Sequence, residues 1–263
     1  MKFGLPLSLN FKGVKFQNKT SAPIISEAFK ITPSLPSLLK LKPGFTAKAS
    51  NIWNGDININ FASGGESDEG TTLQNVDVDL DKVDLSKLSQ NIPSKTPIGL
   101  QGILSGNLSA IIDQTFKEQP SSEFDFSSPK FDLLPISLDQ GGIKVELPRM
   151  TWNTLKVKGS LVGSELIVEE GILGNGTDNL SLKLKGKMGL KFAKRGNQVA
   201  PVLTSYDLRM DIQTVGSVDP TLNLAFIPLS QFKKKTANGD RYLVRAQARS
   251  LRNSPKFSAI NSL

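Results

Sequence analysis

"DNLSLKLKGKMGLKF", residues Asp178 to Phe192, decides how the rest of this chain is read. Leu180, Leu182, Leu184, Gly186, Met188, Leu190 and Phe192 take one parity, while Ser181, Lys183, Lys185, Lys187, Gly189 and Lys191 take the other. Successive side chains of a strand point to opposite faces, so this period of two specifies a long strand with one greasy and one basic face. Burying an unpaired lysine costs several kcal/mol, so the basic face of Lys183, Lys185, Lys187 and Lys191 must look to water. Large apolar side chains gain about 1.5 to 3 kcal/mol each from full burial. The strip Leu180, Leu182, Leu184, Met188, Leu190 and Phe192 therefore needs a cover, either another layer of protein as a core strip or a ligand lying in an apolar groove.

The same alternation recurs along the chain. "PLSLNFKGVKF" places Leu7, Leu9 and Phe11 on one parity, and Lys12-Gly13 reads as a bulge or turn that changes it before Val14 and Phe16. Ile57, Ile59 and Phe61 alternate with Asp56, Asn58 and Asn60, and Val76, Val78 and Leu80 with Asp77, Asp79 and Asp81. Ile143, Val145 and Leu147 flank Lys144 and Glu146, and Tyr206, Leu208, Met210 and Ile212 share a face. Tyr242, Val244, Ala246 and Ala248 oppose Arg241, Arg245, Gln247 and Arg249. An all-β fold with few short helices follows: a long, twisted and curved, largely antiparallel sheet, built as a groove or as a sandwich. The 263 residues read as a single elongated β domain, with halves at 1–125 and 126–263 as subunits of one sheet. Helical spacing is confined to Ser34–Leu41, to "DLSKLSQ" from Asp84 and to "LSQFKKK" from Leu229. Loops are expected at Ser63–Gly70, Lys117–Glu123 and Gly174–Asp178, the first two mobile.

Composition excludes much chemistry. Without histidine the chain lacks the usual general base near neutral pH and the commonest metal ligand; without cysteine it lacks disulfides and thiolate metal sites. No catalytic residue, cofactor or metal is expected, and the chain is not read as an enzyme. The net charge of +8 is unevenly spread. Residues 1–63 hold 8 lysines and 2 acids, residues 64–140 hold 5 lysines and 13 acids, and residues 141–263 hold 19 basic and 9 acidic groups. Nucleic-acid binders cluster basic residues with stacking aromatics, which are scattered here, so no nucleic acid is expected as a partner. A solvated basic face, or one addressing an anionic membrane surface or acidic partner, fits better.

Three motifs resolve into bland readings. Asp77, Asp79 and Asp81 begin like a calcium loop, but Lys82 and Leu88 stand where glycine and glutamate are required. Glu169 and Glu170 fall on opposite faces of a strand and cannot act as a carboxylate pair unless a bulge intervenes. Lys233, Lys234 and Lys235 read as a solvated turn.

"VDLSKLSQ", then the Pro-containing link of "IPSKTPIGLQGILSGNLSAI" with Gly99, Gly102 and Gly106, resembles envelope proteins of the AsmA-like superfamily. "ITPSLPSLLKLKPGFTAKASNIWNGDI" resembles that superfamily's helix-strand-strand unit. The stretch Gly141–Phe192 is similar to the type II secretion system protein N (GspN) family, through a Gly-to-"LP" strand, a strand pair, the turn Gly174-x-Gly176-x-Asp178 and a leucine strand closing on Gly186 and Leu190.

The resemblance implies a non-enzymatic periplasmic protein of a Gram-negative bacterium, held at the inner membrane, that scaffolds other type II secretion components. It also implies an alternative, a lipid-binding or lipid-transfer protein whose apolar β groove takes phospholipid. Such proteins begin with a hydrophobic signal anchor, whereas Met1 leads directly into a strand here. The expectation is a periplasmic portion of a longer anchored protein, or a natural unanchored version.

Overall fold

The computed structural model describes residues 8–17, 23–34, 39, 43–90, 99–140, 143–195, 198–216, 219–250 and 254–263, leaving aside the side chains of 138–140, 143–145, 194–195, 198 and 223–225. Leu7, nearly all of the helix expected at Ser34–Leu41, and the link from Ile92 to Thr96 lie outside the described residues.

One open sheet dominates. Its strands are β1 (Leu9–Phe16), β2 (Ile24–Pro33), β3 (Gly44–Ile52), β4 (Gly55–Glu66), β5 (Thr72–Asp84), β6 (Leu100–Asp113), β7 (Ser121–Ser128), β8 (Phe131–Leu133), β11 (Met150–Trp152), β12 (Leu155–Val162), β13 (Glu165–Leu173), β14 (Leu180–Arg195), β15 (Gln198–Val215), β16 (Lys233–Thr236), β17 (Gly239–Ala248) and β18 (Lys256–Ala259). The main path runs β1-β2-β3-β4-β5-β6-β7-β12-β13-β14-β15-β17-β16, with β18 also on β17 and β8-β11 branching from β6. Strands β9 (Ile136–Gln140) and β10 (Ile143–Leu147) form a separate two-stranded ribbon. Neighbours along the path are mostly consecutive in sequence, as short hairpin connections require, and the described pairings are antiparallel. The all-β expectation is met by a single sheet; the sandwich form of it is not, because no second large sheet faces the first among the described residues. Residue 126 falls inside β7, which pairs with β12, so the two halves share one sheet.

Local chemistry sets the irregularities. At Gly13 φ is +61°, and beyond it the parity changes as expected: Phe11 and Phe16, one odd and one even, both approach the ring of Phe29, at 6.5 and 5.6 Å. In β5, Lys82 (φ +57°) is the extra residue of a bulge that turns Val83 fully inward. Asp84 then caps helix α1 (Leu85–Ser89), accepting from the Ser86 amide at 2.8 Å. Beyond β15, helix α2 (Pro220–Phe226) runs into a 3-10 helix at Ile227–Phe232.

Three loop expectations are revised. Strand β4 extends to Glu66, so the turn shrinks to Ser67–Thr71, closed by Ser67 Oγ on the Thr71 amide at 3.1 Å. Ser121–Glu123 belongs to β7. Lys233–Lys235 is exposed but forms β16 instead of a turn, with Lys233 and Lys235 both paired to Asp240. The loop at Gly174–Asp178 is present: Asp178, buried, accepts from the Asn175 amide at 2.7 Å and from Asn153 Nδ2 at 2.6 Å. The motif's aspartate thus ties the loop to Asn153.

Candidate functional site

Register carries the apolar parity from strand to strand. One row runs Phe11, Phe29, Ala49, Ile57, Leu80 and Gly106, each opposite the next. It continues through Phe126, Val157, Gly171, Leu184, Met210 and Val244. A second row begins at Leu9, Ile31, Ala47, Ile59, Val78 and Leu108 and ends at Gly159, Val168, Gly186, Leu208, Ala246 and Phe257, joined through Phe124. A third links Phe45, Phe61, Val76 and Ala110 to Leu161, Leu166, Met188 and Tyr206 through Ser122. None of these rows contains a charged residue.

The opposite face is mostly polar, for example along Thr32, Thr46, Asn60, Asp77, Ser109 and Glu123, with Ile167, Ile172 and Leu243 interrupting it further on. The uneven charge of the sequence becomes a lateral pattern on this face. Lys30 and Lys48 lie opposite each other on β2 and β3, and Asp79 and Asp125 follow on β5 and β7.

The apolar face is covered only in places. Around β3 to β5, Ala49, Ile52, Ile57 and Val83 form a buried cluster with Leu88 of α1 packed against it. Around β15 and β17, Ile212, Tyr242 and Val244 are buried beneath Leu229, and Phe226 stacks on Tyr242 at 5.2 Å. Both covers come from segments attached at the same end of the strands. Between them the side chains of Leu108, Phe124, Phe126, Leu184, Met188 and Leu208 are half-buried, shielded chiefly by neighbours in their own sheet. The accessible surface of 16884 Å² is about one and a half times the roughly 11,300 Å² expected of a compact chain of this mass.

The expected strip divides between these environments. Leu180 and Leu182 pack on the Leu229 cluster. Leu184 and Met188 lie in the open rows, and Leu190 stands opposite Leu203 beyond a bulge. Phe192 lies 6.4 Å from the Phe116 ring, and all six side chains are half-buried. Lys183, Lys185, Lys187 and Lys191 are exposed on the other face, with Lys187 paired to Glu165 at 2.7 Å.

For the glutamate pair the bulge that the expectation excepted is present. Register shifts within β13, so the bulge puts Glu169 and Glu170 on one face, where they meet Lys158 at 3.7 Å and Lys156 at 2.6 Å. The Lys156 ammonium holds the Glu170 carboxyl below its usual range, and both carboxylates are engaged as ion pairs. Asp77 and Asp79 are exposed and take Ser109 Oγ at 2.5 Å and Asn58 Nδ2 at 3.4 Å.

No family model, curated protein or solved structure matches this chain. Its candidate site therefore rests on its own geometry. The three rows run over eleven, twelve and eight inter-strand steps of about 4.8 Å and lie about 7 Å apart, so they outline a band of about 650 Å² with its covered ends included. With the covered ends set aside, the open part is comparable with the roughly 300–600 Å² of the largest, often functional, apolar patch on an ordinary monomer. The alternation within each strand was legible in the sequence. The alignment of thirteen strands into rows was not, because register depends on hairpin geometry and bulges.

Proposed function

We propose that the uncovered apolar face is a binding surface for the acyl chains of phospholipid, and that the protein is a lipid-binding or lipid-transfer component of the cell envelope. The observation that carries this reading is the continuity of the rows from β1 to β17. A protein partner of this footprint would ordinarily bring about one hydrogen bond per 100–200 Å². The three rows offer only the hydroxyls of Ser122 and Tyr206, while the backbone groups between strands are satisfied within the sheet. Hydrocarbon asks for no more.

The test compares two substitutions. Leu184→Asp, in the open rows, should leave a folded protein by circular dichroism that no longer co-purifies with phospholipid. Leu229→Asp, in the buried cluster, should unfold that end of the sheet. Wild-type protein that carries no lipid and takes none from vesicles would overturn the reading, as would unfolding of the Leu184 variant.

A second reading, scaffolding within a type II secretion apparatus at the inner membrane, is favoured by the edge strand β1. It pairs only with β2 and exposes Leu9, Phe11 and Phe16, so among the described residues its outer backbone groups can accept a partner strand. Introducing Lys12→Pro should then stop type II secretion while lipid binding persists; normal secretion by a stable, folded variant would sink this reading.

A further inference from the structure

The polar face holds a second feature, which meets the apolar band only at Tyr206 and Ala248. Where the turn after β12 meets β14, β15 and the end of β17, a cavity of about 820 Å³ opens. Its walls carry the hydroxyls of Ser164, Thr204, Ser205 and Ser254, together with Lys187, Arg249 and Lys256. The carboxylates within it are already engaged. Glu165 takes Lys187, and Asp207 accepts from Arg245 Nε at 2.7 Å and Gln247 Nε2 at 2.9 Å. The Arg245 guanidinium also holds the Asp207 carboxyl below its usual range. The uncompensated field in the cavity is therefore that of Arg249 and Lys256, which form no ion pair among the described residues.

The floor is shaped by a bulge. Register between β14 and β15 shifts after Gly189, leaving Thr204 as the extra residue. A Cβ at Gly189 would lie 2.3 Å from Thr204 Oγ1 and 2.5 Å from Ser205 Oγ, so only glycine leaves room for the two hydroxyls to converge there. Neither hydroxyl bonds another described residue. Two unengaged hydroxyls over a glycine, flanked by two unpaired cations, supply donors without a protein acceptor.

We propose that this cavity binds a phosphate ester. The Arg249 guanidinium can take two phosphate oxygens at once and Lys256 adds a point charge, while the Thr204 and Ser205 hydroxyls serve the remaining oxygens. The volume exceeds what a bare phosphate fills, so the ligand carries an organic substituent, whether as a soluble ester or as a lipid headgroup.

The experiment titrates the full chain by calorimetry with inorganic phosphate, glycerophosphoglycerol and glycerol, and by co-sedimentation with vesicles of phosphatidylglycerol. The phosphodiester should bind saturably and glycerol should not. Arg249→Ala and Lys256→Ala, both at exposed positions, should each weaken the phosphodiester on the order of tenfold, and Thr204→Ala with Ser205→Ala should do likewise. Loss of vesicle binding in the same variants identifies a lipid headgroup; vesicle binding that persists while phosphodiester binding falls identifies a soluble ester. Absence of saturable binding by either phosphate compound overturns the proposal, as does binding indifferent to both cation variants. Leu184→Asp lies on the opposite face and should leave the phosphodiester titration unchanged, which keeps this test separate from that of the apolar band.

Discussion

Gln119 grips the backbone of Phe192 from both sides of one peptide position: its Oε1 accepts from the Phe192 amide at 2.7 Å, and its Nε2 donates to the Phe192 carbonyl at 3.2 Å. The side chain imitates a neighbouring strand. It joins the β6-β7 connection to the far end of β14, where Phe116 also reaches Phe192.

Replacing Gln119 with Ala removes both bonds at once. A net loss of about 1–2 kcal/mol is expected from two part-buried hydrogen bonds. The Phe192 amide should then exchange with solvent much faster than amides in the middle of β14. Unchanged exchange at Phe192 would show that the grip contributes nothing in solution.

The same connection has an acid limit. Burial of Asp113 pushes its carboxyl pKa up, but bonds from the Thr115 hydroxyl and from the amides of Thr115, Glu118 and Lys117 outweigh this and hold it at about 2. A folded pKa below the unfolded value of about 3.9 means that the stabilisation is fully present above that value and is lost as pH falls towards 2. Amide resonances of Thr115 to Glu118 should stay native-like at about pH 4 and shift only close to pH 2. A midpoint near 4 would contradict the assignment.

Gly186 sits in the second apolar row with φ +145°, and a Cβ there would lie 2.2 Å from the Asp207 carbonyl oxygen. Backbone would have to move to accept it. Gly186→Ala should cost more than about 1 kcal/mol in urea denaturation, whereas Gly176→Ala, with open space around the added carbon, should be close to neutral. Equal stabilities would mean that the strands around Gly186 approach less closely than described.

Much of this architecture could be read from parity alone. The separation of leucines from lysines in β14 follows from the two-residue period, and so does the inward set of Tyr242, Val244, Ala246 and Ala248 in β17. What parity does not carry is the effect of one inserted residue. Glu169 and Glu170 share a face only because β13 bulges, and Thr204 gains its position over Gly189 in the same way. Long-range ties such as Gln119 to Phe192 leave no periodic trace either. The flat basic run at Lys233–Lys235 could not announce itself as β16, because its pairing depends on Asp240 across the hairpin.

Most strands along the path from β1 to β17 contribute two or three positions to the band and receive their neighbours' positions in line. The width of the band is thus fixed by the rows, and its length by how many strands are laid side by side. Adding or deleting one hairpin would change the length by about 10 Å and leave the cross-section as it was. The sheet behaves as a ruler whose unit is the hairpin, so the distance it can bridge is set by repetition of a simple local pattern.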